Sequence, residues 1–381
     1  MKYYIIAGEA SGDLHGSNLM KGIYAEDPGA EIRFWGGSLM DEVGGTLVQD
    51  YKDGAVMGLG DVIAKAGALL GNVKRCRQDI LSFDPDVVIL IDYPGFNFKI
   101  AEFAHKRGYK VFYYIAPKTW ASREGRNRKL KSFVDRLFIV FPFEVPYFES
   151  KGIPFIYKGN PLIDAIDGSA AMAETREAFL HRHGLEGKRC IAILAGSRKG
   201  EIGRTMPVGI EVADRLHAMP QFRDTVFMVA GAPSRSREDY ESHIGGRDYI
   251  RLIFGDTYGI LRHSDAAMIN SGTASLEAAL IGTPQVVVYS FAKLTMAVVR
   301  RIVKVKYISL GNLIVDKPVF RELIQEDMNA REVGDEIIRL IEDGGYRSRM
   351  LDGYTEIRDA LGKSGASRSV AKAMIEELRK S

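Results

Sequence analysis

Short apolar runs recur along this chain, separated by amphipathic stretches of helical period, and that alternation leaves few folds open. YYIIA (3–7), VVILI (87–91), VFYYI (111–115) and LFIVF (137–141) form a first series, with helical patterns such as 14–25 and 98–107 between them. CIAILAG (190–196), VFMVAG (226–231), IRLIFG (250–255), AAMIN (266–270) and PQVVVYS (284–290) form a second. Runs that are apolar on both faces read as strands of a parallel sheet covered by helices on each side. Because the series restarts, the chain is expected to be α/β, with two Rossmann-like domains whose parallel sheets face a central cleft. The expected divisions are 1–165, 166–340 and a group of C-terminal helices, 341–381, that caps a domain or crosses back to the first.

A length of 381 residues suits two cores, and 27% charged with 46% hydrophobic residues describes a soluble globular protein. The net charge of +3 is too small to mark a nucleic-acid binder. Cys76 and Cys190 stand far apart without Cys/His spacing, so neither a disulfide framework nor a zinc site is expected, and a reducing cytoplasm fits. The apolar run at the N-terminus, about five residues, is too short for a signal-peptide core or a membrane span.

Ligands of open α/β sheets collect beyond the carboxyl ends of the strands. Loops rich in Gly and small polar residues stand there: GEASGD (8–13), DYPGFN (92–97), GSRKGE (196–201), GAP (231–233, opening on Gly231) and SGTASLE (271–277). In GSRKGE, Gly196 permits close backbone approach, Ser197 offers a hydroxyl, Arg198 can grip a diphosphate, and Glu201 is expected at the same donor site. The loop lacks Walker spacing, and no GxGxxG follows a strand. In SGTASLE, the Ser271, Gly272 and Thr273 backbone would hold phosphate, with Glu277 on ribose hydroxyls and Ser275 in the same donor site. Stabilisation of the helix dipole by Glu277 is the other reading. In the first half, Glu9 or Asp92 could deprotonate an attacking hydroxyl or could cap a neighbouring helix. Asp84-Pro85-Asp86 resembles an Asp-x-Asp metal motif but precedes its strand, so a turn is expected and no metal.

Two basic stretches suit anionic lipid: 122–136, and 291–308 with Arg300 and Arg301. The stretch 57–75 carries Val62, Ile63, Leu69 and Leu70 and reads as a core helix or an exposed apolar patch.

Together these motifs resemble the lipid A disaccharide synthase family, glycosyltransferases of the two-Rossmann-domain (GT-B) type. The resemblance rests on GEASGD, FWGGSLM (34–40), MGLGDV (57–62), IDYPGFN (91–97), APKTWA (116–121), KGNPLID (158–164), LAGSRKGEI (194–202), SGTASLE, LGNLI (310–314) and RELIQ (321–325). It implies transfer of a 2,3-diacylglucosamine from its UDP derivative to the 6-hydroxyl of 2,3-diacylglucosamine 1-phosphate, with inversion and release of UDP. No cofactor is implied, the UDP-sugar being a substrate.

Carried over by motif, Arg198 would stabilise the departing UDP, and Asn312, Glu322 and Gln325 would line the donor pocket. Ser11 and Asn97 would face the acceptor, and Val62, Ile63, Leu69, Leu70, Arg300 and Arg301 its acyl chains or the membrane. The implied setting is cytoplasmic, peripheral to the inner membrane, without nucleic acid, and compatible with a homodimer. Two positions depart from the family: Gly95 stands where many members carry an acidic residue, and Arg321 where Pro is usual. Gly95 leaves the general base to Asp92, Glu9 or another residue. Rival readings are another UDP-N-acetylglucosamine enzyme, such as an epimerase or a peptidoglycan-precursor transferase, and a non-catalytic sugar-nucleotide or lipid-binding protein.

Overall fold

The computed structural model describes residues 1–55, 62–290 and 306–380, with only the backbone of 54, 55 and 62–68. It divides into two compact units, one of Met1–Ala165 with Gly362–Ser381 and the other of Ile166–Leu361.

The sheet of the first unit has the order β3-β2-β1-β4-β5-β6-β7. Its strands are β1 (Lys2–Ala7), β2 (Glu31–Gly36), β3 (Thr46–Asp50), β4 (Val87–Ile91), β5 (Lys110–Tyr114), β6 (Arg136–Ile139) and β7 (Phe155–Tyr157). All the pairings are parallel. The most apolar runs take the centre: all five residues of β4 are fully buried, as are Tyr3, Tyr4 and Ile5 of β1. Where β1 lies beside β4 the strand order reverses, so the loops leaving these two strands diverge and open a crevice at their carboxyl ends. GEASGD and DYPGFN are those loops.

The second unit repeats the plan with the order β10-β9-β8-β11-β12-β13. These strands are β8 (Arg189–Leu194), β9 (Thr225–Gly231), β10 (Ile250–Phe254), β11 (Ala266–Asn270), β12 (Gln285–Tyr289) and β13 (Glu322–Ile324), again all parallel. Here the order reverses between β8 and β11, which places GSRKGE and SGTASLE on the two sides of the crevice.

The C-terminal region is shared out. The helices Ala330–Glu342 and Gly344–Leu361 belong to the second unit, while Ala366–Arg379 returns to the first and packs along the helix Ala10–Glu26. The approach is close at Gly22, where an added Cβ would stand 3.0 Å from the Ala371 Cβ and 3.1 Å from the Arg368 Cα. Asp164, the last residue of KGNPLID, holds the start of the returning helix. Its carboxylate accepts from Ser364 Oγ (3.0 Å), Gly365 N (2.5 Å) and Ser367 N (2.7 Å). These bonds satisfy backbone donors at a helix start that has no carbonyl of its own to offer them.

Asp84 and Asp86 lie at the opposite end of the first sheet and serve the fold. Asp86 accepts from Lys2 N at the start of β1 (2.7 Å) and Asp84 from Tyr109 Oη before β5 (3.0 Å), which ties this loop to its neighbours. Both cysteines are free and buried. Among the described residues, no helix is long and apolar enough to cross a membrane.

Candidate active site

The first unit offers a carboxylate held in a strained turn. Asp92 and Tyr93 both take left-handed backbone, φ 42° and 43°, which non-glycine residues rarely adopt and which costs about 1–3 kcal/mol each unless surrounding contacts enforce it. The enforcing contacts are visible. Asn97 Nδ2 donates to the carbonyls of Ile91 (3.1 Å) and Asp92 (2.8 Å), and Tyr113 Oη donates to the Asp92 carbonyl at 2.5 Å. Asp92 N is bonded to the Tyr114 carbonyl at 3.1 Å, so the whole peptide is fixed at the end of β4.

Burial raises the Asp92 carboxyl above the ordinary aspartate range; the Lys118 and Arg126 cations pull it down and Glu9 pushes it up. Partly exposed beyond the end of β4, this carboxylate can accept a proton from a hydroxyl brought within hydrogen-bond reach. Glu9 is exposed at the start of the helix Ala10–Glu26, and the Tyr93 ring packs where a Cβ on Gly8 would be. Ser11 is exposed on the same turn.

Asn97 was expected at the acceptor. It is fully buried, and its amide nitrogen is spent on two carbonyls of the Asp92 turn. Asp13 is likewise structural. It accepts from the backbone N–H groups of Gly37 (2.8 Å), Leu39 (3.1 Å) and Met40 (3.1 Å), joining GEASGD to FWGGSLM.

Glu144, which the sequence did not single out, is 1% exposed and accepts from Val140 N, Phe141 N and Trp120 Nε1. Burial pushes its carboxyl up to about 7 against those three donors. It fixes Trp120 of APKTWA, whose ring stands edge-on to Phe143 at 4.8 Å. Gly95 has open space beside it, with nothing within 4 Å of an added Cβ.

In the second unit, the helix Thr273–Ile281 starts at the end of β11 with Gly272 as its cap. Ser275 N bonds the Gly272 carbonyl at 3.3 Å, while the Thr273 and Ala274 N–H groups ahead of it have no intrahelical carbonyl and lie at the positive end of the dipole. Ser271 and Ser275, expected in the donor site, are used by the fold: Ser271 N donates to the Val288 carbonyl of β12 (2.9 Å) and Ser275 Oγ to the Gly272 carbonyl (2.9 Å). Glu277 is partly exposed, its carboxyl raised by burial and pulled down by the Tyr258 hydroxyl, which donates to its Oε1 at 3.0 Å.

In the neighbouring loop the Glu201 carboxylate accepts from Ser197 N (3.1 Å) and Arg198 N (3.2 Å) and pairs with Arg198 Nη1 at 3.0 Å. Glu201, expected on the donor, is therefore the acid that shapes the loop. The Arg198 side chain is 68% exposed at the helix start. Gly196 has φ +100°, and an added Cβ would meet Glu201 and Asn270. At the end of β9, the Phe254 ring lies over Gly231, 2.4 Å from where a Cβ would stand.

Asn312 and Glu322 join LGNLI to RELIQ. Asn312 Nδ2 donates to the Phe320 carbonyl (2.9 Å) and Glu322 Oε1 (3.0 Å), while its Oδ1 accepts from Val319 N and Phe320 N. Glu322 also accepts from Ile308 N, Ser309 N and Ser309 Oγ. Both were expected in the donor pocket, and both are spent on bracing this loop. Gln325 follows with φ +58°. Arg321, in place of Pro, pairs with Glu332 at 2.6 Å.

Of the expected acyl or membrane contacts, Leu69 packs against the first core and Leu70 is 60% exposed. The side chains of Val62 and Ile63, and Arg300 and Arg301 entirely, lie outside the described residues.

Solved structures of the same architecture show what class of fold this is. MnaA of S. aureus, in a co-structure with UDP, is similar with a TM-score of 0.73 at 16% identity, over 99% of this chain and 97% of that one. UDP-GlcNAc 2-epimerase from Neisseria meningitidis, bound to UDP-GlcNAc, is similar with a TM-score of 0.65 at 13% identity, over 99% and 100%. The fold is GT-B.

Sequence supplies the rest. Residues 3–375 match the family model of the lipid-A-disaccharide synthetase. The lipid-A-disaccharide synthase of Geobacter metallireducens is 37% identical over 378 residues, 99% of this chain and 97% of that one. That of Trichlorobacter lovleyi is 35% identical over 380 residues, with coverage of 99% and 97%. The chain belongs to the lipid-A-disaccharide synthase family and is a glycosyltransferase of lipid A biosynthesis, a family of sugar-nucleotide and lipid-linked substrates.

Proposed function

We propose that the enzyme transfers 2,3-diacylglucosamine from its UDP derivative to the 6-hydroxyl of 2,3-diacylglucosamine 1-phosphate, inverting the anomeric centre and releasing UDP, with no metal or cofactor. The observation that carries this reading is Asp92, held in left-handed backbone by Asn97 and Tyr113 at the point where the first sheet's strand order reverses. Asp92 takes the proton of the 6-hydroxyl as that oxygen bonds to the anomeric carbon. The bond from that carbon to the UDP oxygen breaks, and its electron pair leaves with the diphosphate. Arg198 and the N-terminus of the helix Thr273–Ile281 neutralise the charge that develops there. Glu277 accepts from the ribose hydroxyls.

The lipid parts of both substrates place the enzyme on the cytoplasmic face of the inner membrane. Support comes from a groove of about 300 Å³ in the first unit, where Leu70, Leu81 and Phe103 lie among Lys74, Arg77 and Lys99. Apolar surface rimmed by cations suits an anionic bilayer.

The test is UDP release from UDP-2,3-diacylglucosamine in mixed micelles, with and without the acceptor, in EDTA. The expected result is acceptor-dependent release that survives EDTA. Asp92→Asn should lower kcat roughly 10²–10⁴-fold while UDP still binds as in the wild type. Release without acceptor, or an Asp92→Asn enzyme of normal kcat, would overturn the assignment.

A further inference from the structure

Glu277 has a partner that no motif announces. The loop GDTYG follows β10, and Tyr258 in it donates its hydroxyl to Glu277 Oε1 at 3.0 Å. Burial and the adjacent carboxylate hold that phenol far above its ordinary pKa, so it keeps its proton at physiological pH and acts as the donor toward Glu277. Among the described residues, Tyr258 is the one group that hydrogen-bonds this carboxylate. Oε2 and the second lone pair of Oε1 remain available, enough acceptors for two vicinal hydroxyls.

Both ends of the bond are anchored. Tyr258 lies in the first turn of the helix Thr257–His263, which Asp256 caps by accepting from Gly259 N at 3.2 Å. An added Cβ at Gly259 would fall 2.3 Å from Asp256 Oδ1, so the turn has no slack. Asp256 is fixed in turn by Arg182 (2.7 Å), which forks onto Glu174 (3.0 and 2.7 Å). On the other side, Gln285 Nε2 donates to the Ser275 carbonyl (2.8 Å), and Thr283 Oγ1 ties the end of the helix Thr273–Ile281 to the Leu261 carbonyl (2.7 Å).

We propose that Tyr258 is a positioning residue for the nucleotide: its hydroxyl selects the Glu277 rotamer that meets the ribose 2′- and 3′-hydroxyls. The inference rests on the ribose role given to Glu277 above. A glutamate has three side-chain torsions to settle, and ordering such a side chain on binding costs about 0.5–1.5 kcal/mol. The Tyr258 bond makes that ordering a property of the free enzyme. The same bond opposes the burial that raises this carboxyl, and so favours its charged, fully accepting form.

The experiment measures calorimetric affinities of the full-length chain for UDP and for 2′,3′-dideoxyuridine diphosphate, in wild type, Tyr258→Phe, Glu277→Ala and the double variant. Wild type should prefer UDP. Tyr258→Phe should weaken UDP roughly fivefold to twentyfold, as for one hydrogen bond to a charged group, and leave the dideoxy analogue unchanged. On the Glu277→Ala background the tyrosine change should be silent, and in turnover the donor KM should rise with kcat nearly constant. Equal weakening of both nucleotides would show a merely structural tyrosine and overturn the inference, as would UDP affinity unaltered by Tyr258→Phe while Glu277→Ala is damaging. If Glu277→Ala itself leaves UDP binding intact, the ribose role falls first and the tyrosine role with it.

Discussion

Replacing Asn97 tests whether a structural brace also serves the general base proposed at Asp92. Its Nδ2 makes two hydrogen bonds, a buried one to Ile91 and a part-buried one to Asp92, within the only turn of the first unit's described residues where two successive non-glycine residues are left-handed. Asn97→Ala removes both bonds, at about 0.5–1.5 kcal/mol each, so the unit should lose about 1–3 kcal/mol. For a domain of this size that is a fall of about 2–4 °C in melting midpoint per kcal/mol, or roughly 4–8 °C for a mid-range loss of about 2 kcal/mol. Asn97→Asp should cost more, because a carboxylate cannot donate and would face two carbonyls. Tyr113 still holds the Asp92 carbonyl in both variants, so the turn should loosen rather than unfold. Turnover should then fall roughly tenfold to a hundredfold, as expected when a base drifts by about an ångström. Urea unfolding followed by fluorescence gives the first quantity and UDP release the second. An Asn97→Ala enzyme that loses stability yet turns over normally would refute the link between the brace and the base. One that melts like the wild type would refute the brace itself.

Three further outcomes follow from neighbouring residues. Glu144 keeps its proton up to about pH 7 in the folded chain, above the ordinary glutamate value, so its contribution to stability is present below that ordinary value and is lost as pH rises to about 7. Glu144→Gln should flatten the unfolding free energy between about pH 4.5 and 7, and an unchanged slope would reassign that titration. Gly95→Asp should fold with a melting midpoint within about 2 °C of wild type, since nothing lies within 4 Å of its Cβ; a large drop would show that the turn tolerates only glycine. Leu70→Ser should weaken sedimentation with anionic vesicles severalfold while leaving thermal stability nearly unchanged, because this side chain is 60% exposed; unaltered vesicle binding would remove it from the membrane surface.

The sequence revealed the middle of each sheet and hid the margins. β1, β4, β8 and β11 are continuous apolar runs because both faces are covered, and runs of that kind are visible without a structure. β2 escaped notice because Arg33 interrupts EIRFWG; its guanidinium reaches Asp79 at 2.6 Å and so serves the fold, not solvent. β3 is a half-exposed edge, and β7 and β13 are three residues each, too short to carry a period.

The strand-end loops were equally legible, but the work of each polar residue within them was not. Asn97, Glu201, Ser275, Asn312 and Glu322 look like ligand residues in a linear motif, and each meets a carbonyl or an N–H of its own or an adjoining loop. Buried backbone in an irregular turn needs such partners, and local spacing does not say which side chain supplies them. Tyr258 was missed for the opposite reason. GDTYG stands beyond a strand as the other loops do, and only the third dimension brings it to Glu277.

The return of the helix Ala366–Arg379 to the first unit has a consequence for biosynthesis. The surface of the helix Ala10–Glu26 that receives it, close-fitting at Gly22, is made early, while its cover is translated only after the whole of the intervening unit. At about 5–20 residues per second, the intervening unit delays that cover by roughly 10–40 s. For that interval the nascent first unit carries an unfinished apolar face, and a ribosome that terminates early, or a protease that trims the tail, leaves it so permanently.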